Sequence, residues 1–540
     1  MNTTVAPPAV SADLAARLRA DFLAARWTND HIAALLGDVI AGAMARGHFG
    51  PARVRCAEAI DRRESTRACA ALTALFMLGG SVTSEDVQAA LPSVTIEELT
   101  QANLLSPVPS PSEIPNRRWC SPIDLRPHEI ISEGEGASAP ADTIWWIASD
   151  IGEERLPPGV PLPREHVMGL GQATLSLLRS MVTTPCETAL DLGTGCGIVA
   201  MHMTRFASHV TASDLSARAL GFARFNATLA GLGADCLRFV QGSFFEPVAD
   251  QCFDRIVSNP PFVITPQELR DQGVWQYRDA GLPGDSLIPA LLTEAAGHLN
   301  PGGLLTMLAN WEVHAPDADP HGLERVETWL NKAGLDAWVV AREVLDTAQY
   351  AEMWLRDGGL EAQSNTEDSL FERGLNSYLS DFEARGVSGV ALGIINARLS
   401  ETPSSKTRVF LQANLGPEGA PTGTRALEVY LALDWLAAHP SEEERLDARL
   451  HLADSVLEEH TQRPGTGDLL AIRLHSPTLG WSASDLSPEI VGLLGALDGD
   501  LSVSQAATGV AVLTDQDPMT VRTHIASRLP DLLLQGVLSV

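Results

Sequence analysis

Phe253-Asp254-Arg255-Ile256-Val257-Ser258-Asn259-Pro260-Pro261-Phe262 is the stretch on which the fold turns. Its apolar run stops at a polar residue and two prolines. That pattern marks a buried strand ended by a rigid turn, because proline has no N–H to extend a ladder. Such a turn lies at the carboxyl end of its strand, where open α/β sheets bind their ligands. Asn259 brings a side-chain carbonyl able to accept a hydrogen bond from a planar –NH2 group, and Phe262 a ring able to stack on the same plane.

On either side of this stretch, strand and helix alternate. Residues 188–192 read as a short buried strand running into Gly193-Thr194-Gly195-Cys196-Gly197 and a helix from Ile198. Residues 209–213 read as a second strand ending at Asp214, followed by a helix whose apolar side carries Phe222, Phe225 and Leu229. Further strands are expected at 237–241, 254–258, 304–309, 337–343 and 390–395. This alternation forces a mostly parallel sheet with helices on both faces. The expected fold is α/β, with a seven-stranded Rossmann-like sheet.

Glycines at 193, 195 and 197 let the backbone approach a ligand closely at the start of a helix. A dinucleotide site requires G-x-G-x-x-G, whereas here Ile198 follows Gly197 and the third glycine comes one place early. Asp214 stands at the end of the second strand, where an acid can accept both hydroxyls of a nucleoside ribose. It would equally serve as a cap for the helix beginning near Ser216, and both roles stay open. Asp191 lies inside the first strand, where an unpaired carboxylate is costly. It is expected to face the positive end of a ligand or to brace the glycine loop.

At 540 residues the chain exceeds a single core, and about three domains are expected. Stretches 106–140 and 399–424, rich in Pro, Gly and Ser, read as linkers and place the boundaries at 1–135, 136–400 and 401–540. A net charge of -30 argues against general phosphate binding, which needs clustered Lys and Arg. The seven cysteines are scattered, odd in number and never paired as CxxC, so neither a disulfide framework nor a metal site is indicated. No secretory leader and no long apolar run is present, and the expected location is the cytoplasm, with no membrane partner.

Both flanks are expected to be mostly helical. Residues 70–106 follow the order helix, glycine pair, short capped helix, third helix and apolar exit, which is that of a winged-helix-like unit, and a similar order returns at 491–538. Helical covers for the edges of the central sheet are the simpler account of both, since such patterns recur without binding nucleic acid. The arginines between Arg53 and Arg67 are interrupted by Glu58, Asp61 and Glu64 and read as a solvated helix face.

Taken together, Asp191 to Gly197, Asp214, Gly242-Ser243-Phe244-Phe245-Glu246-Pro247 and Asn259-Pro260-Pro261-Phe262 resemble the class I S-adenosylmethionine-dependent methyltransferases. The nearest likeness is to the branch holding the methyltransferase small domain and the N5-glutamine methyltransferases of peptide-chain release factors, which residues 277–285 also resemble. The resemblance covers about residues 140 to 400. It implies S-adenosylmethionine as cofactor. Gly193, Thr194, Gly195 and Gly197 would shape its methionine side, Asp214 and Leu215 the ribose side, and Ser243 and Phe244 the adenine side, with Asp191 and Asn259 also in contact. Ser243 stands where relatives commonly carry an acid, and Phe262 where they often carry tyrosine.

Asn259, Pro260 and Phe262 are the expected catalytic residues: two carbonyls would accept the acceptor's N–H bonds and aim its nitrogen at the methyl group. The favoured acceptor is a protein side chain such as glutamine. An exocyclic amino group of an RNA or DNA base is the alternative, since such a base would stack on Phe262 in the same way. A non-catalytic cofactor sensor is a further alternative, against which the intact Asn259 motif argues. Cys196, inside the cofactor loop, is a poor candidate nucleophile. Trp145-Trp146 reads as packing or an anchor between domains.

Overall fold

The computed structural model describes residues 5–108, 117–130, 144–152, 155, 162–163, 165–271, 279, 281–358, 360, 369–401, 407–413, 421–466, 469–476, 481–484 and 487–540. Residues 277, 278 and 280 of the 277–285 stretch therefore lie outside the described residues, as do parts of both expected linkers. The main sheet has eight strands rather than seven. In chain order they are β1 (Cys186–Leu192), β2 (Ala207–Asp214), β3 (Leu237–Gln241), β4 (Phe253–Ser258), β5 (Leu299–Val313), β6 (Asp336–Asp346), β7 (Gly389–Arg398) and β8 (Val409–Ala413). Their spatial order is β8-β6-β7-β5-β4-β1-β2-β3. The added strand, β8, lies inside the stretch read as a linker. Its apolar run is short and each of its residues is half-buried, so it carries no strong period.

The chain divides into two compact units, one of residues 1–178, 185–287 and 346–387, the other of 179–184, 288–345 and 388–540. In the first, β1 pairs in parallel with both β2 and β4, and β2 with β3. Helix α1 (Ile198–Met203) follows the glycine loop, with Gly197 left-handed at its N-cap. Helix α2 (Ala217–Ala230) is capped by Ser216, which accepts from the Ala219 N–H, and ends at left-handed Gly231.

The N-terminal helices belong to this unit. Arg19, from helix Ala12–Ala24, donates to the carbonyls of Thr228 and Leu229 at the end of α2, where unpaired carbonyls need donors. Phe22, Trp27, Phe76 and Trp146 are fully buried and meet at ring distances of 5.0 to 6.5 Å. Trp145-Trp146 is thus a packing element. It sits on the hairpin Asp124–Glu129 with Ile144–Ser149, the first strand of which falls where a linker was expected. Asn226 of α2 locks that hairpin, accepting from the Ala148 N–H and donating to the Ala148 and Cys196 carbonyls. His128 and His202 face each other with Nε2 atoms 2.8 Å apart; burial pushes them down to about 4 and about 3, so at neutral pH one uncharged ring donates to the other. Residues 67–120 also form helices Arg67–Leu72, Ser84–Ala90 and Ile96–Gln101 and a three-stranded antiparallel sheet, with Arg118–Cys120 between Ser81–Thr83 and Ser106–Pro107.

In the second unit β5 and β7 run antiparallel, from Leu304 opposite Arg398 to Val313 opposite Gly389, and β6 pairs in parallel with β8. Its C-terminal part packs Leu493, Val510, Ile525 and Leu529 from helices Pro488–Leu494, Val503–Leu513 and Pro518–Leu534 into one apolar core. Among the described residues no helix is long and apolar enough to cross a membrane.

Candidate active site

The strand order reverses between β1 and β4, and open sheets bind ligands outside the carboxyl ends of strands at that point. A cavity of about 620 Å³ lies there in the first unit, lined by the loops after β1, β2, β3 and β4. The loop after β1 is pinned to β2, because the N–H groups of Gly193 and Thr194 both donate to the Ser213 carbonyl at 2.9 Å. Gly193 and Gly195 are left-handed; a Cβ added to Gly193 would meet only the Asn259 carbonyl, at 3.9 Å, and one on Gly195 nothing within 4 Å.

Asp191 braces this loop. Its buried carboxyl accepts from the Thr194 hydroxyl at 2.6 Å and from the Ala200 N–H at 2.9 Å, joining strand, loop and α1. Burial pushes it up to about 7, against an ordinary 3.8, because two hydrogen bonds do not replace the lost hydration. The native carboxyl keeps its proton to a higher pH than the unfolded chain does. Its contribution to stability is therefore full below the unfolded value and is lost as pH rises through about 7. Calorimetric melting is expected to show a fall in stability across that window that is shallower in Asp191→Asn; equal slopes would contradict the protonation.

Asp214 is half-buried, and its two oxygens accept from the Gly195 N–H at 2.9 Å and the Ser216 N–H at 2.8 Å. The side chain that caps α2 belongs to Ser216, so Asp214 ties the two loops together and does not fill the capping role. Burial raises its carboxyl, and each oxygen keeps capacity for a further donor. Leu215, next to it on the cavity, is 71% exposed. Ser243 and Phe244 line the far end, with Phe244 held at φ +42, a conformation rare for a bulky residue.

The β4 turn closes the other side. Ser258 donates to the Leu192 carbonyl at 2.8 Å, fastening β4 to β1 just before Asn259, an exposed residue that lines the cavity. The Pro260 carbonyl accepts from the Phe262 N–H at 2.8 Å and retains one lone pair. Phe262 is half-buried and forms a bridge with Asp279. All the expected cofactor-binding and catalytic residues line this one cavity except Gly197, which faces α2.

Residues 168–336 match the family model described as methyltransferase small domain. That segment is similar to the methyltransferase small domain family. Residues 24–113 match a second model, described as a domain of unknown function, DUF7059. Curated relatives named release factor glutamine methyltransferase include that of Moorella thermoacetica, 34% identical over 163 residues, covering 28% of this chain and 55% of the relative. That of Xylella fastidiosa strain Temecula1 is 36% identical over 154 residues, covering 27% and 52%. The chain spans about half the length of the curated relatives it matches. Among solved structures, the ribosomal protein L11 methylase of Lactobacillus delbrueckii subsp. bulgaricus is 24% identical and covers 34% of this chain and 75% of its own, with a TM-score of 0.22. At that score the likeness adds nothing to the strand order.

The cavity also draws on residues that the sequence did not point to. Glu165 to Met168 and Ala173-Thr174 come from the segment before β1, on either side of Gly169-Leu170-Gly171-Gln172, Asp279 from beyond the turn, and Trp354 from a helix far along the chain. The glycine pair at 169 and 171 was the one local signal for the first group; periodicity has none for a residue brought in by tertiary packing. Cys196 lines the cavity, but burial pushes its thiol up to about 11, so at neutral pH it is no thiolate nucleophile. Among the described residues no cluster of His, Cys, Asp and Glu could hold a metal ion.

Proposed function

We propose that this protein transfers a methyl group from S-adenosylmethionine to a planar amide nitrogen, with a protein glutamine side chain as acceptor. The observation that carries the reading is the turn after β4, whose Asn259, Pro260 and Phe262 line the same cavity as the glycine loop. The name shared by the curated relatives supports a release factor as the acceptor protein.

The residues fit the donor. Gly193 and Gly195 leave open space on the cavity side for its methionine part, with Thr194 between them and Gly197 holding the loop against α2. Asp214 would take the ribose hydroxyls with Leu215 beside it, Phe244 an adenine face, and Ser243 the adenine edge. The bound sulfonium supplies an electrophilic methyl carbon. Asn259 Oδ1 and the free lone pair of the Pro260 carbonyl then accept the two N–H bonds of the acceptor, localise the nitrogen lone pair and hold it in line, while Phe262 stacks on the amide plane. The proton displaced from nitrogen passes to solvent, so no base of shifted pKa is required.

Asp214→Ala is expected to weaken donor binding by roughly 10- to 100-fold, the range for a lost hydrogen bond to a charged group. Equilibrium dialysis checks this, and unchanged affinity would remove Asp214 from the ribose.

The same turn suits an exocyclic amino group of a base, and reading the helices and strands of residues 67–120 as a winged-helix-like unit would support that second acceptor. The net charge of -30 weighs against it. The deciding experiment incubates the purified protein and methyl-labelled S-adenosylmethionine with extract from a strain lacking it, then digests separately with protease and nuclease. Label lost to protease and recovered as methylglutamine is expected; label lost to nuclease would overturn the glutamine acceptor.

A further inference from the structure

Between β6 and β7 the chain inserts two helices that belong to the first unit, α3 (Thr347–Asp357) and α4 (Leu370–Arg385). They pack closely: a Cβ added to Gly374 of α4 would stand 2.6 Å from Leu355 Cδ2 of α3. One face of α3 grips the segment that follows Asn259 at two points. The Ile264 N–H donates to the Tyr350 hydroxyl at 3.0 Å. One turn later, Trp354 meets the Phe262 ring edge to face, with centroids 6.5 Å apart and planes at 70°. Behind them Tyr350 packs on Trp354 at 6.1 Å, on Tyr378 at 6.5 Å and on Phe382 at 6.0 Å.

Within this aromatic column, Tyr350, Tyr378 and Phe382 are fully buried and act as core. Trp354 is different. It is half-buried, and among the described residues of α3 and α4 it alone lines the cavity. An indole at that place does two things: its edge-to-face contact fixes the plane of Phe262, and its remaining surface bounds the cavity on the side of the β4 turn. Aromatic pairs of this geometry hold relative orientation better than aliphatic contacts, because ring edge and ring face carry opposite partial charge.

We propose that Trp354 is a specificity-determining residue for the methyl acceptor, setting with Phe262 the slot that admits the acceptor's planar group. This rests on the assignment of Asn259 and Phe262 to the acceptor side. Trp354 acts on acceptor binding through Phe262 and through its own cavity face, and leaves donor binding to the loops after β1, β2 and β3.

The test uses the full chain as wild type, Trp354→Ala and Trp354→Phe, with methyl-labelled S-adenosylmethionine and graded amounts of extract from a strain lacking the protein. The alanine variant is expected to raise the apparent KM for acceptor about tenfold and the phenylalanine variant to restore most of it. Donor affinity, measured by dialysis, is expected to stay within about twofold of wild type, as it would not if the side chain served packing alone. Wild-type KM and kcat in the alanine variant would overturn the proposal, and so would equal loss of donor affinity in both variants. Nuclease-sensitive label from the wild type would overturn the glutamine reading while the KM comparison still decides Trp354. No label from the wild type would overturn both.

Discussion

Asn259→Ala is expected to lower methyl transfer by on the order of 10²- to 10³-fold, the usual effect of deleting one preorganised polar contact to a reacting centre. Donor affinity should stay nearly unchanged. The reason lies in how the turn is held. Ser258 is tied to the Leu192 carbonyl and Phe262 to the Pro260 carbonyl, so the backbone on both sides of position 259 is fixed without help from the Asn259 side chain. Removing an exposed side chain there leaves no buried group unpaired and should cost the fold little. What is lost is the one side-chain carbonyl that would orient the acceptor nitrogen. Single-turnover transfer measured beside donor binding separates the two, and an active alanine variant would remove Asn259 from the mechanism.

Gly197→Ala should do the larger damage to the protein itself. The added Cβ would lie 2.8 Å from Ala223 Cβ and 2.9 Å from Ala223 Cα, and position 197 is held at φ +87. Helix α2 has no room to withdraw, because Asn226, one turn after Ala223, is bonded to the Ala148 and Cys196 backbones. Overpacking and a forced left-handed residue together are expected to cost about 3 kcal/mol. Gly195→Ala is the control: nothing stands within 4 Å of its added Cβ, so it should lose only about 1 kcal/mol from its left-handed backbone. Its methyl group would instead enter the cavity and weaken the donor. Melting temperature falling chiefly in Gly197→Ala, and donor affinity chiefly in Gly195→Ala, is the expected pattern; the reverse would mean that the two glycines have been assigned the wrong roles.

Much of the central sheet was legible because its strands are short apolar runs closed by glycine, aspartate or proline, and such local punctuation needs no partner to be read. Residues 237–241 form β3 with the expected ends, and 188–192, 209–213 and 254–258 fall inside β1, β2 and β4. The eighth strand was not legible, since Val409–Ala413 is held by pairing with β6 and carries little pattern of its own. The hairpin at 124–129 and 144–149 was hidden in the same way behind a Pro- and Ser-rich composition, although Trp146 and Asn226 bury it firmly.

What the sequence by itself determined was the order of strand and helix, the glycine loop and the proline turn, because these rest on backbone conformations that single residues impose. Which groups share a cavity was decided by tertiary structure alone. Ser216 caps α2 while Asp214 holds the Gly195 N–H, burial raises the Asp191 carboxyl to about 7, and Trp354 reaches Phe262 from an insertion after β6. Each of these depends on distance in space and on exclusion of water, and neither quantity is carried by spacing along the chain.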